Sequence, residues 1–145
     1  MGKLSYNLVA NIDELEGSLG VRRKVFVEEQ GISKELEFDG LDGEALHMVV
    51  KDGERVIGTA RVQFPIASQA KIERMAILKP FRRKGIGRRI ISFLIKELMN
   101  RQVEQVVLHA QHSVVSFYKS CGFEESGPPF CEAGIKHIKM ERQLS

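Results

Sequence analysis

The chain has 145 residues, 43% of them apolar and 28% charged, with a formal net charge of +3. That length supports one domain, residues 1–145, with its own core and without metal or disulfide help. So small a charge, with its cations gathered locally, argues against a nucleic-acid partner, and no stretch is long and apolar enough to span a membrane. Cys121 and Cys131 are too few and wrongly placed for a zinc site, so no metal is expected. The N-terminus lacks the apolar stretch of a signal peptide, and a reduced cytoplasmic protein is the expectation.

In chain order, Leu4 to Ala10 alternates as a first strand. Ile12, Leu15, Leu19 and Phe26 mark one helical face or two short helices, interrupted near Gly17 and Gly20. From Glu29 to Gly43 the chain is polar, a long loop of the kind that often carries function. The carboxylates Glu28, Glu29, Glu35, Glu37, Asp39 and Asp42 read either as a solvated face or as a field that steers a cation. Leu46 to Lys51 and Arg55 to Phe64 flank Asp52-Gly53, a strong hairpin signal, and Pro65 closes the pair. Lys71 to Leu78 is the next strand. Simple alternation sets Glu73 on the face of Met75 and Ile77, opposite Arg74, Ala76 and Leu78.

The clearest helix comes next, with an apolar stripe at Ile86, Ile90, Leu94 and Leu98, widened by Ile91, Ile95 and Met99. Val103 to Ala110 reads as a strand. Val114, Phe117, Tyr118 and Cys121 then fall at i, i+3, i+4 and i+7, a short helix ended by Gly122. Ile138 and Met140 alternate with charges in a last strand. Strand, helices, three antiparallel strands, helix, strand, helix, strand is the order of an α/β protein, a mixed sheet covered by helices.

The turn between the strand ending at Leu78 and the long helix is chemically odd. It offers no Ser, Thr, Asp or Asn cap, and it holds Arg82, Arg83, Lys84, Arg88 and Arg89. The free amides of a helix start already carry roughly half a positive charge, so cations beside them make sense only around an anion. Gly85 and Gly87 lack Cβ atoms and let the backbone approach that anion closely. A phosphate or pyrophosphate is the expected ligand. Neither a P-loop string nor a Gly-x-Gly-x-x-Gly fingerprint is present, since Ile90 stands at the third glycine position.

What is present, Arg82-x-x-Gly85-x-Gly87 after a strand and at a helix start, resembles the pyrophosphate-binding motif of the GNAT superfamily of acyl-CoA-dependent N-acetyltransferases. The strand Ile72-Glu73-Arg74-Met75-Ala76-Ile77 and the segment Phe117-Tyr118-Lys119-Ser120-Cys121-Gly122-Phe123 are similar to two further stretches of that family. Val25 to Gly31, the Leu41-Asp42 pair, Leu108 to Gln111 and Gly134 to Met140 resemble a small bacterial subgroup of it. Gln111 and Cys121 depart from the pattern, where many members have Asn and Leu.

The resemblance implies a GNAT-like, largely antiparallel central sheet flanked by helices, with acetyl-CoA as co-substrate and an amine acceptor that the sequence does not identify. A homodimer is left open. The turn of Arg82, Arg83, Lys84, Gly85, Ile86, Gly87 and Arg88 would hold the pyrophosphate. Met75, Ala76 and Ile77 would run beside the pantetheine arm, with an amide near Ile77 polarising the thioester, and Gln111 and Phe117 would complete the cofactor contacts. Tyr118 is the implied general acid for the departing thiolate. Glu73 is the candidate base, with His109, His112, His137 and water as alternatives. As a weak base it would need a raised pKa or a water relay. A second reading is a CoA-binding sensor or partner module without turnover.

Overall fold

The computed structural model describes residues 3–144. Its strands are β1 (Leu4–Leu8), β2 (Leu46–Asp52), β3 (Arg55–Ile66), β4 (Gln69–Ile77), β5 (Gln105–Gln111), β6 (Glu124–Glu125), β7 (Phe130–Glu132) and β8 (Ile135–Gln143). The helices are α1 (Ile12–Arg22), α2 (Lys34–Glu37), α3 (Ile86–Asn100) and α4 (Val115–Ser120). The strands join in one sheet, ordered β1-β2-β3-β4-β5-β8-β6, with β7 added against β8. Every pairing is antiparallel except β4 with β5, whose connection through α3 returns the chain in the same direction.

The apolar stripe of α3 packs on one sheet face with Met48, Val50, Ile57, Val62 and Ile72 as the main core. Met99 is the exception, 53% exposed on the solvent side of its helix. The opposite face is covered by α1, which starts at an Asn11 cap accepting from the Glu14 amide and continues without a break into a π-helical turn, Arg23–Glu29. Gly17 and Gly20 do not interrupt α1. A Cβ at Gly17 would lie 2.5 Å from Val56 Cγ2, so glycine lets the helix sit close against β3.

The buried face of α1 is also not the one its apolar spacing predicts, since Ile12 is exposed while Glu14, Ser18, Val21 and Arg22 are buried. These polar groups are satisfied by partners both near and distant in the chain. Glu14 accepts from the Ala10 amide and from Asn7 and Lys51, and Ser18 donates to the Leu15 carbonyl. Pro65 does not close its strand either, because β3 runs through it to Ile66 near the exposed tip of the β3–β4 hairpin.

Two irregularities of β4 break the regularity of the sheet at its centre. Arg61 pairs with Glu73 and Thr59 with Ala76, so Arg74 and Met75 together stand opposite Ala60, and Arg74 takes a left-handed φ of 56°. This bulge breaks the alternation. Glu73 shares a face with Arg61, Thr59 and Ala76, under α1, whereas Met75 and Ile77 pack with the α3 core. Second, β4 and β5 pair only from Gln69–Gln105 to Ile72–Leu108. Beyond that rung they part, and the edge of β4 that faces β5 has no strand partner among the described residues.

Candidate active site

The parting of β4 and β5 opens a cleft of about 650 Å³. On the α3 side it is lined by Phe117 and Tyr118 of α4, and on the α1 side by Phe26, Leu36, Leu41 and Glu73. Met75, Ala76 and Ile77 form one lip, and His109 and Gln111 of β5 form the other. Unpaired backbone groups of β4 along such an edge are free to bond an extended ligand.

Next to the cleft the chain passes through a 3₁₀ turn, Lys79–Phe81, then takes left-handed φ values at Arg83 (63°) and Gly85 (80°) before α3 begins. Gly85 is the N-cap and supplies no side-chain bond. The first backbone bond into the helix runs from the Arg89 amide to the Gly85 carbonyl, which leaves the amides of Ile86, Gly87 and Arg88 without backbone acceptors. Arg83, Lys84 and Arg89 are exposed and make no ion pair with another described residue. Free amides and free cations at one helix start fit an anion.

Two of the expected phosphate ligands are committed elsewhere. Arg82 donates Nε to the Ile77 carbonyl at 2.8 Å and both Nη atoms to Glu29, and Arg88 donates to Ser120. The two glycines also divide their roles. Around Gly85 a Cβ would meet nothing within 4 Å, and its positive φ is what demands glycine; at Gly87 a Cβ would press Phe117 Cζ at 3.1 Å. The open space at Gly87 belongs to Phe117.

Tyr118 is buried among Phe117 and Phe123, both edge-on to its ring, and lines the cleft. Its hydroxyl makes no hydrogen bond to another described residue, so the phenol is not a satisfied core group. Burial, then the neighbouring Cys121, pushes its pKa well above the ordinary tyrosine range, which keeps the proton on oxygen. Gln111 donates to Gln30 Oε1 at 2.9 Å, joining the end of β5 to the residue that ends the π-helical turn.

Glu73 sits in an ion network that the spacing of the loop carboxylates did not reveal. Arg61, 1% exposed at its side chain, is held by Asp39 at 2.8 Å, Asp42 at 2.9 Å and Glu73 at 2.8 Å. Arg22 pairs with Glu37 and Asp42, and Arg74 pairs with Glu37 and Asp39. Three of the loop carboxylates are thus structural anchors, neither a solvated face nor a steering field. Burial would raise the pKa of Glu73, but the hydrogen bond from Gln63 together with Arg61 and Lys71 outweighs it, and the net direction is down. The raised pKa that direct proton abstraction asks of Glu73 is therefore not built into this site.

Sequence reasoning also missed Glu132 and its contact with His109, because a three-residue β7 leaves too little pattern to read. The Ala133-Gly134 turn, with both residues at positive φ, closes the β7–β8 hairpin, and Ala-Gly is not a dipeptide that marks such a turn in a sequence.

A family model described as an acetyltransferase (GNAT) domain matches residues 13–144. Among curated proteins, the uncharacterized N-acetyltransferase YjcF of Bacillus subtilis is 36% identical over 134 residues, covering 92% of this chain and 95% of its own. The crystal structure of an acyl-CoA N-acyltransferase from Pseudomonas aeruginosa superposes with a TM-score of 0.87 at 26% identity, over 97% of this chain and 99% of that one. A GNAT family acetyltransferase from Elizabethkingia anophelis, solved with acetyl-CoA bound, shares the fold with a TM-score of 0.74 at 16% identity, over 97% of each chain.

Proposed function

We propose that this chain, which belongs to the GNAT acetyltransferase family, moves the acetyl group of acetyl-CoA to an amine of a small molecule or protein by direct attack within a ternary complex. Membership makes it an acetyl-CoA-dependent acyltransferase; the acceptor class and the direct route are our reading. The observation that carries it is the uncapped start of α3, whose first three amides and exposed cations have no backbone or ion-pair partner among the described residues, next to a cleft whose β4 lip pairs with no described strand.

In this reading the amides of Ile86, Gly87 and Arg88, with Arg83 and Lys84, hold the pyrophosphate, and Met75, Ala76 and Ile77 lie beside the pantetheine arm. Arg82 positions the turn through Ile77 and Glu29. Acetyl-CoA supplies the activated acetyl group. An amide near Ile77 offers the thioester oxygen a donor, and Tyr118 gives the departing sulfur its proton. Glu73, kept ionised by its cationic neighbours, attracts the incoming ammonium to the splay point. Cys121 and Cys131 are not close to an activating histidine in any described ion pair or hydrogen bond, and a covalent acyl-cysteine is not part of the reading.

The test is a thiol-release assay with acetyl-CoA and a set of amines comprising tyramine, spermidine and a peptide with a free N-terminal alanine. Transfer to one or more, confirmed by mass, is the expected result. Tight acetyl-CoA binding without acetylation of any of them would turn the reading toward a CoA sensor.

A further inference from the structure

His109 and Glu73 are the first residues beyond the last rung that joins β5 to β4, the pair Leu108–Ile72. Leu108 and Ile72 face the α3 core, so His109 and Glu73 both face the other way, across the mouth of the cleft that each lines. Their partners differ. Glu73 is bound to cations, whereas the ring of His109 is held by an anion: Nδ1 lies 3.0 Å from Glu132 Oε1. A carboxylate only accepts, so Nδ1 carries the hydrogen and the neutral ring keeps its lone pair on Nε2. Nε2 makes no hydrogen bond to another described residue.

The ring is further fixed by Phe130, edge-on at 5.0 Å, which stacks in turn on His137. His137 is a poorer candidate. It is 6% exposed, its Nδ1 donates to the Ile135 carbonyl at 2.7 Å, and its Nε2 stands 3.8 Å from Glu132. His112 does not line the cleft.

We infer that His109, oriented by Glu132, is the general base that takes the proton of the attacking amine. The inference rests on the acetyl-transfer reading proposed for this site. The substrate ammonium first gives one proton to solvent; the neutral amine nitrogen then forms the new C–N bond and passes a second proton to Nε2 of His109. The C–S bond breaks with its electron pair on sulfur, which takes the hydroxyl proton of Tyr118. The imidazolium, paired with Glu132, then returns its proton to solvent, and solvent restores the phenol. The charged and titratable groups around the ring are Glu132 on β7, His137 and Lys139 on β8, and Lys71 and Glu73 on β4.

With the fastest of tyramine, spermidine or the alanyl peptide, His109→Ala is expected to lower kcat by about 10²-fold or more, with acetyl-CoA affinity by calorimetry unchanged. Added imidazole should restore much of that rate, which a purely structural role would not allow. His109→Gln, which can still bond Glu132, should lose the same rate if the alanine variant loosens the hairpin. His112→Gln should keep the wild-type rate. A readout free of turnover is the long-range ¹H–¹⁵N spectrum of the full chain, where neutral His109 should show the hydrogen on Nδ1. A wild-type rate in His109→Ala, a loss that imidazole does not rescue, or a neutral ring with its hydrogen on Nε2 each overturns the base. Wild-type protein that acetylates none of the three amines removes the acetyl-transfer reading and the base with it; active wild type with an unaffected His109→Ala removes the base alone.

Discussion

Arg82 and Glu29, 53 residues apart, meet through two hydrogen bonds, Nη1 to Oε2 at 2.6 Å and Nη2 to Oε1 at 2.9 Å. The pair fastens the anion turn to the last residue of the π-helical segment, while Arg82 Nε holds the Ile77 carbonyl at the end of β4. An arginine engaged on all three nitrogens orders a loop more than it binds a ligand.

A prediction separates the two roles. If Glu29 competes with phosphate for Arg82, Glu29→Gln frees the guanidinium and acetyl-CoA binds more tightly. If the pair orders the turn, the same variant loosens it and affinity falls by several-fold, because the turn must then be ordered at the moment of binding. We expect the fall, measured by calorimetry at fixed salt.

The contact of a Gly87 Cβ with Phe117, at 3.1 Å, gives a second prediction. Gly87→Ala should lower acetyl-CoA affinity by displacing Phe117, while the overpacking strain is offset in part by the roughly 1 kcal/mol that alanine gains over glycine within a helix. Phe117→Leu removes the atoms that clash. The double variant should therefore be more stable than the sum of the single effects allows, a coupling that a double-mutant cycle in urea measures. Additive effects would mean that Gly87 is needed for another reason.

The network around Arg61 sets an acid limit on stability. Hydrogen bonds from Arg61 hold Asp39 well below the usual carboxylate range. For Asp42 and Glu73, burial pushes the pKa up, but Arg22 and Arg61 in the first case, and Gln63, Arg61 and Lys71 in the second, bring it below normal. A lowered folded-state pKa means that the unfolded chain binds these protons more readily. The stability they supply is then complete above the ordinary carboxylate range near ~4 and is lost as pH falls below it. Urea unfolding from about pH 6 to about pH 3 should show that loss. Arg61→Met should cost about 3–5 kcal/mol near neutrality, since it leaves carboxylates facing one another, and should flatten the acid slope. An equally steep slope in the variant would place the titrating groups elsewhere.

Glu73 can be told from a base by which constant moves. As a fixed anion that attracts an ammonium, its replacement by Gln should raise KM for the amine by on the order of 10-fold while kcat changes less. A 10²-fold loss in kcat at unchanged KM would make Glu73 the proton acceptor.

The range of each pattern decides how much of this fold and site is legible in the sequence. Helix α3 and its uncapped start are readable because their signals are local: a 3.6-residue stripe, two glycines and a missing cap within one segment. The element order comes from periodicity in the same way. The face of Glu73 is misread because a bulge at Arg74 depends on how β4 registers against β3, and alternation carries no sign of it. The buried side of α1 is misread because Glu14 and Arg22 are buried only through partners at Lys51, Glu37 and Asp42. His109 looks like any strand histidine until β7 brings Glu132 against it. Long-range charge pairing of this kind leaves no period in a sequence.

Tyr118 permits the sharpest test of the chemistry. Its ring is core, packed edge-on to Phe117 and Phe123 at centroid distances of 5.1 and 6.0 Å, so Tyr118→Phe keeps the packing and removes one oxygen. That oxygen has no hydrogen-bond partner among the described residues, and losing it should leave the melting temperature nearly unchanged. Burial, with Cys121 beside it, raises the phenol pKa above its usual value of about 10. The proton donor is therefore present across the neutral and moderately alkaline range, and the wild-type rate should not decline with rising pH below about 10 through loss of this proton. Removing the donor forces the CoA sulfur to leave as a bare thiolate, and single-turnover rates should fall by about 10²–10⁴-fold at unchanged acetyl-CoA affinity. Single-turnover measurement matters because slow product release would hide a change in the transfer step. A Tyr118→Phe rate within about twofold of wild type, with transfer shown to limit it, would mean that the sulfur departs without help from this residue.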